Sequence, residues 1–481
     1  MSATLDAPTS RRSTPRERAL ERRVAELETE NATLRALVAD LQRRLAEMEA
    51  RLKENSTNSH WPPSSDPPGA QRPRRKPSGR KQGAQPGHEG ATRPLLPVDQ
   101  VDQVLTHFPK NCRRCRRVLK AKVEPGDPEP RRHQVWEAPR VEPTVTEHQA
   151  CGKACECGEV TYAELPPDVA GSCLGPRAQA TVALLTGRFR LSRREAQEAM
   201  SVLVGIDLSL GSVTAVEQAT SAALAKPYEE ALVAVRAAEA ANVDETGWFE
   251  KRHARAWLWV AVTSALVVFW IDPRRSGAAF RRFLGNFRGY LTTDRWKAYF
   301  RHPSKRHQVC WAHLQRDFEK LVLRGGEAKK HGEALLAATE RIFETWHQFK
   351  RGEFDRAALR RRFVPIKAAF HDLLLEGLLN PSEKAQALCS ELLRLWPCLW
   401  IFVEVEGVEP TNNAAERGVR PAVLWRKGSF GSQSEAGSTY VARMLTVVGT
   451  LRKQKRHILD FLVAAVVAYR SRAAPPSIVY Q

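Results

Sequence analysis

Hydrophobic positions near the start of the chain repeat with spacings of four and three through Leu20, Val24, Leu27, Leu34, Val38, Leu41, Leu45, Met48 and Leu52, with polar Asn31 completing the series. This is a heptad seam: Val24, Asn31, Val38, Leu45 and Leu52 fall at a, and Leu20, Leu27, Leu34, Leu41 and Met48 at d. β-Branched residues at a with Leu at d favour a two-stranded parallel coil, and one buried Asn at a fixes its register at some cost in stability. Opposite charges flank the seam, Arg23 facing Glu28, Glu30 facing Arg35 and Arg44 facing Glu49 of a second copy. Residues 18–54 are therefore expected to dimerise as a coiled coil. The periodicity then stops. Residues 55–97 are dense in Pro, Ser, Gly, Arg and Lys with almost nothing to bury, which predicts a disordered basic linker. Its Arg72, Arg74, Arg75, Lys76, Arg80 and Lys81 can track a phosphate backbone.

Helical periodicity returns after Pro176 in three segments, Arg177–Phe189, Ser192–Val204 and Leu210–Leu224. Ser192 with Glu195 is a capping box, and Gly205 sits where the middle helix should stop. The arrangement predicts a helix-turn-helix-like DNA-binding region over 171–235, although the last helix carries few basic residues. From 236 the pattern becomes mixed. Ala240–Asp244, Ala256–Val262 and Ala265–Ile271 read as strands, Ser276–Phe287 as a helix, Gly289–Thr293 and His307–Cys310 as further strands, and Trp311–Leu323 as a helix. That is the element order of a ribonuclease H-like fold, in which Asp244 ends the first strand, Asp294 ends the fourth, and the two strands are neighbours. Residues 324–409 then read as all helix, an insertion into a catalytic core of 236–323 and 410–481. Beyond it, Pro410-Thr411-Asn412 begins a helix with Glu416 in its first turns and Arg417, Arg420, Arg426 and Lys427 nearby as candidate DNA contacts. The fold class is thus multidomain α+β: a ribonuclease H-like α/β core with an all-helical insertion, preceded by the coiled coil, a small zinc-binding segment and the helical DNA-binding region.

Charge sharpens this picture. The 481 residues carry 75 Lys and Arg against 54 Asp and Glu, a net charge of +21, which points to a polyanionic partner, most commonly nucleic acid. No apolar run is long enough to span a bilayer and the N-terminus lacks a signal-peptide core, so a cytoplasmic protein is expected. In that compartment cysteines read as metal ligands or buried thiols. Cys112-Arg-Arg-Cys115 and, about forty residues later, Cys155-Glu-Cys157 predict a structural zinc site within residues 98–170. Cys151, His133 and His148 compete as ligands, because the second pair is more tightly spaced than usual.

Asp244, Asp294 and Glu416 carry the chemistry. Phosphodiester cleavage needs a nucleophilic water or hydroxyl and relief of the charge growing on the phosphate, which two Mg²⁺ or Mn²⁺ ions about 4 Å apart provide. Such ions take carboxylate oxygens and need no Cys or His. The blocks around these acids, Val243-Asp-Glu-Thr-Gly-Trp248, Thr293-Asp-Arg-Trp-Lys-Ala-Tyr299 and Thr411-Asn-Asn-Ala-Ala-Glu-Arg-Gly-Val-Arg-Pro421, closely resemble those of the insertion-sequence-66 family of bacterial transposases. So do Arg80-Lys-Gln-Gly-Ala-Gln-Pro-Gly-His88 and Cys310-Trp-Ala-His313, and the resemblance runs from about residue 20 to the C-terminus. It implies a DDE transposase with Asp244, Asp294 and Glu416 as metal ligands, a leucine zipper, a zinc-binding segment and a helical region that binds terminal repeats. It further implies nicking at the element ends, attack of the freed 3′-hydroxyl on target DNA, and work as a homodimer or larger synaptic oligomer, with accessory proteins of the element as possible partners. The Cys155-Glu-Cys157 spacing departs from the family pattern, and Cys310 and His313 are read as packing or supporting residues. A non-enzymatic zinc and helix-turn-helix regulator, or a nuclease that cuts without joining, are the competing readings.

Overall fold

The computed structural model describes residues 14–52, 83, 93–251 and 255–479, so Arg72, Arg74, Arg75, Lys76, Arg80 and Lys81 of the basic stretch lie outside the described residues. The chain forms two compact units, one of the described residues between 71 and 144 and one of all the others, so that the division falls inside the segment expected to bind zinc.

Helix α1 (Pro15–Leu52) spans the expected coil, and its seam side chains are exposed, from 47% at Leu27 to 84% at Leu52. A short antiparallel hairpin of β1 (Gly152–Ala154) and β2 (Val160–Tyr162) and the single turn α2 (Pro167–Ala170) lead into a helical layer. Its members are α3 (Pro176–Gly187), α4 (Arg193–Val204), α5 (Leu210–Ala223) and α6 (Ala225–Arg236). The Ser192 hydroxyl and the Glu195 carboxylate cap α4 reciprocally, and Gly205 ends it with φ 71° in the left-handed region. Helix α6 went unread in the sequence: Pro227 suggests a break, yet it sits in the first turn, where a missing N–H costs nothing. Helix α5, the expected DNA reader, packs against α3, α4 and the later helical segments Glu435–Lys453 and Ile458–Arg470, and carries no Lys or Arg.

The sheet that follows comprises β3 (Ala240–Trp248), β4 (Ala256–Val262), β5 (Val267–Asp272), β6 (Tyr290–Thr293) and β7 (His307–Val309), with helix α7 (Gly277–Leu284) crossing between β5 and β6. The strand order is β5-β4-β3-β6-β7, antiparallel on the β5 side of β3 and parallel on the other. One expectation is corrected. Strand β3 does not end at Asp244; it runs on to Trp248, because Gly247, which looks like a breaker, pairs with Trp257 inside the ladder.

Helices α8 (Trp311–Arg324), α9 (Gly326–Lys350), α10 (Arg356–Leu378), α11 (Glu383–Arg394) and the short α12 (Ile401–Glu404) form the inserted block with their own core around Trp311, Phe318, Phe363 and Phe370. The chain then returns to the sheet with α13 (Asn413–Ser429), α14 (Glu435–Lys453) and α15 (Ile458–Arg470). An uncovered edge strand is a template for wrong pairing, and α14 covers the β5 edge. Thr450 Oγ1 accepts the Val267 N–H and donates to its carbonyl, both at 3.0 Å, and Thr446 Oγ1 accepts the Phe269 N–H at 2.9 Å.

Candidate functional site

Strand register brings the first two acids together. β3 and β6 pair in parallel as Ala240↔Tyr290, Ala241↔Leu291 and Asn242↔Thr292, and the ladder stops there. Two residues past that last pair come Asp244, still within β3, and Asp294, just beyond the end of β6, near enough for the Asp294 charge to act on Asp244. Beyond Thr293 the chain turns away, and Asp294 Oδ1 accepts the Trp296 N–H at 3.0 Å. Thr293 itself bonds His307 Nε2 at 2.8 Å, an imidazole that burial pushes down to about 3.

Cross-strand pairing also assigns a face to each acid. Asp244 lies opposite Val260 and Asn242 opposite Val262, so these four share a face. Helix α13 covers that face closely: a Cβ at Gly418 would lie 2.8 Å from Val262 Cγ2 and 3.5 Å from Val260 Cγ2. Only glycine permits this approach, and Glu416 of the same helix comes near enough for its charge to act on Asp244. Glu245 points to the opposite face, opposite Trp259, where Tyr299 donates to its Oε2 and Arg275 to its Oε1 at 2.6–2.7 Å. The Arg275 guanidinium is in turn stacked on Trp257 and Trp296, 5.0 and 4.5 Å from the ring centres.

Asn412 fastens the helix that carries Glu416. Its Nδ2 donates to the Val243 carbonyl at 2.7 Å, its Oδ1 accepts from Asn242 Nδ2 at 3.1 Å, and its backbone N–H donates to Cys310 Sγ at 3.1 Å. The side chain is 1% exposed. Strand β3, the Cys310 end of β7 and the start of α13 are thus joined by one asparagine. Arg295, next to Asp294, reaches the inserted helices instead, donating to Asp317 of α8 at 2.8 Å and to Glu391 of α11.

The electrostatics follow from crowding like charges. Enclosure pushes the Asp244 carboxyl well above the usual range, and the charges of Glu245, Asp294 and Glu416 push the same way against the Glu245 N–H that it accepts at 2.9 Å. Glu245 rises to about 7, from burial first and then Asp294, with Arg275 and Tyr299 opposing. On the α8 side, His313 Nδ1 and Arg316 Nη2 stand 3.7 and 3.9 Å from Glu416 Oε1. Cys310 Sγ, His313 and Glu416 present ligand atoms all within 4.8 Å of one another, a group able to hold a cation. Burial pushes the Cys310 thiol up to about 12, and it serves as the acceptor for Asn412.

The remaining expected residues are scattered. Arg417, Arg420 and Lys427 are exposed on α13, whereas Arg426 turns inward and donates to the Gly247 carbonyl and, at 3.3 Å, to Thr246 Oγ1. The cysteine pairs lie on two tight turns, one in each unit. In the first, Asn111 bridges to Val118 and the Cys115 and Arg114 N–H groups pull the Cys112 thiol down. In the second, at the tip of the β1–β2 hairpin, the Cys157 N–H does the same for Cys155, and Gly158 at φ 90° closes the turn. The short Cys-x-Cys spacing therefore still yields a thiolate-stabilising turn. Sequence reasoning gave no role in the site to Glu245, Arg275 and Tyr299 and took Asn412 only as a helix start, although Glu245, Tyr299 and Asn412 lie within the blocks quoted around the three acids.

Residues 171–440 match the family model described as Transposase IS66 family, a little over half of the chain, and residues 12–94 match a family of unknown function, DUF6444. Two curated Sinorhizobium fredii proteins are similar. The uncharacterized protein y4qI is 26% identical over 232 residues, 43% of this chain and 42% of its own length. The uncharacterized protein y4hP is 26% identical over 357 residues, 67% of this chain and 63% of its own length, so the chain spans less than two thirds of either relative.

Proposed function

This chain belongs to the IS66 family of transposases, and on that premise we propose that Asp244, Asp294 and Glu416 form its catalytic centre, which nicks DNA at element ends and joins the freed 3′-hydroxyl to target DNA. The observation that carries the proposal is the Asn242↔Thr292 register, which sets Asp244 beside Asp294 under the helix of Glu416. The five-strand order with its helical insertion supports a ribonuclease H-like core.

The donor set fits hard divalent cations. Its carboxylates are crowded enough to repel one another, and Glu416 Oε1 is buried without a hydrogen bond. Two such ions held by Asp244, Asp294 and Glu416 would supply a nucleophilic water or hydroxyl and offset charge on the phosphate oxygens. The protein's own part is placement. Asn412 fixes the approach of Glu416, Glu245 is neutralised by Arg275 on the far face, and Arg417, Arg420 and Lys427 offer cations to the DNA backbone.

Incubation of the full-length protein with a labelled element-end duplex, a target plasmid and Mg²⁺ or Mn²⁺ tests this. Asp294→Asn and Glu416→Gln should each lose cutting and joining by roughly 10³-fold or more, the rate equivalent of several kcal/mol. Full activity in either variant removes that residue from the centre. Cutting without joining would make the protein a nuclease, and binding without metal-dependent chemistry a regulator.

Two accessory elements belong to the same reading. We propose that the exposed seam of α1 pairs with that of a second copy, which covers side chains a lone helix leaves in water. Sedimentation equilibrium should give a dimer for the wild type and a monomer for a Leu27→Lys, Leu34→Lys variant; an unchanged dimer takes α1 out of the contact. We propose Cys112, Cys115, Cys155 and Cys157 as zinc ligands, a reading supported by turns whose N–H groups favour the thiolate form of Cys112 and of Cys155. Zinc should stay with the protein through gel filtration and be lost in Cys112→Ser and in Cys155→Ser, and a zinc-free wild type rules the assignment out.

A further inference from the structure

Five cations outside the three acids come together where α3 and α14 end and α13 begins. Arg188 follows the last turn of α3, and Arg190 lies in the α3–α4 connection with φ 62°. Arg452 and Lys453 close α14, and Arg417 follows Glu416 in the first turn of α13. Close packing fixes their arrangement. A Cβ at Gly187 would lie 2.5 Å from Met444 Cε, so the end of α3 is pressed onto α14, where Thr186 and Tyr440 share a 2.8 Å hydrogen bond. Gly449 of α14 and Gly418 of α13 both rest on Val267, so Lys453, one turn past Gly449, rises beside Arg417.

None of the five forms an ion pair with a carboxylate among the described residues. Their charges press on one another. Partial burial and then the neighbouring Arg452 and Arg190 pull Arg188 down, and burial and then Arg417 pull Lys453 down. A plainer account is that Arg188, Arg452 and Lys453 complement the negative ends of α3 and α14. It does not reach Arg417, which sits at the positive end of α13, or Arg190, which is in no helix.

We propose that Arg417, Lys453, Arg452, Arg188 and Arg190 form a continuous phosphate track that carries the backbone of duplex DNA away from Glu416, across the end of α14, to the α3–α4 corner. The proposal rests on the transposase reading for its partner. It assigns DNA contact in the helical region to this corner and not to α5, which carries no basic residue.

The track predicts a salt signature. Each phosphate contact contributes about 0.9 to the slope of log affinity against log salt on duplex DNA. Fluorescence anisotropy of full-length protein on a short labelled duplex should therefore show the slope falling by about 1.8 for Arg452→Gln, Lys453→Gln, two contacts on that scale. The pair Arg341→Gln, Arg361→Gln removes the same charge from exposed positions on α9 and α10 and should leave the slope at the wild-type value. Arg190→Asn, a residue that tolerates the left-handed backbone, should lower the slope by about one contact. The charge-conserving pair Arg452→Lys, Lys453→Arg should restore the wild-type slope, which a folding defect would not. Equal slopes for wild type and the Arg452, Lys453 pair overturn the track alone, whereas a wild type that binds no DNA overturns both the track and the transposase reading.

Discussion

Asp244→Asn is expected to abolish cutting and joining and, at the same time, to make the cation-free protein more stable at neutral pH. The activity loss, roughly 10³-fold or more, is that of a group asked to supply several kcal/mol of transition-state stabilisation. The gain in stability comes from the crowding itself. Asp244 is raised well above its ordinary value by enclosure and by Glu245, Asp294 and Glu416, and Glu245 is raised to about 7. An acid whose folded pKa is raised contributes stability that is complete at low pH and lost as pH climbs through the folded value. Cation-free wild type should therefore lose stability as pH rises through about 7, the value for Glu245. The amide cannot ionise, so Asp244→Asn should remove the share of the decline that Asp244 itself contributes and melt higher at neutral pH, by roughly 2–4 °C for each kcal/mol of repulsion relieved. Added Mn²⁺ should raise the melting temperature of wild type and leave the variant nearly unmoved, since ligands stabilise only the state they bind. Melting curves in chelator from about pH 5 to about pH 8 decide the matter. A variant less stable than wild type at the upper end would show that the acids are not in conflict.

Much of this centre was legible in the sequence because its signals are local. Asp294 follows a short run of strand formers and Glu416 falls in the first turn of a helix, and the motif blocks around them marked both, although Asn412 does not cap that helix with its side chain, which is bonded to β3 instead. The seam of α1 was equally plain, since a heptad is a pattern within one helix. What spacing cannot carry is which partner a polar residue finds across the fold. Glu245 had no assigned role in the sequence, yet it is tied to Arg275 and Tyr299, thirty and fifty-four residues away. Arg426 read as a DNA contact, yet its guanidinium is turned onto the β3 backbone. The same limit misplaced the end of β3. Gly247 is a weak strand former, and only the ladder with β4 keeps it extended.

Asn412 is the residue for which the long-range contacts matter most, and Asn412→Ala should be nearly as damaging as loss of an acid. Its amide touches no DNA in the proposed site. Truncation removes the Asn412 bond from the buried Val243 carbonyl and leaves the Asn242 amide only its 3.4 Å bond to the Thr411 carbonyl, at about 1–3 kcal/mol for each bond lost. The structural cost should show as a lower melting temperature. The catalytic cost follows from geometry. Without the clamp α13 is free to shift over the sheet, and a displacement of about 1 Å at a catalytic group can cost on the order of 10²-fold. Because the loss is one of placement, kcat should fall while KM for DNA stays near wild type, the reverse of the pattern expected for Arg417→Ala on the exposed face of the same helix. Asn412→Asp separates the two roles of the side chain: it keeps the acceptor toward Asn242 but sets a carboxylate against the Val243 carbonyl, so it should rescue neither kcat nor melting temperature. Wild-type kcat in Asn412→Ala would mean that Gly418 and the packing of α13 on Val260 and Val262 hold Glu416 in place unaided.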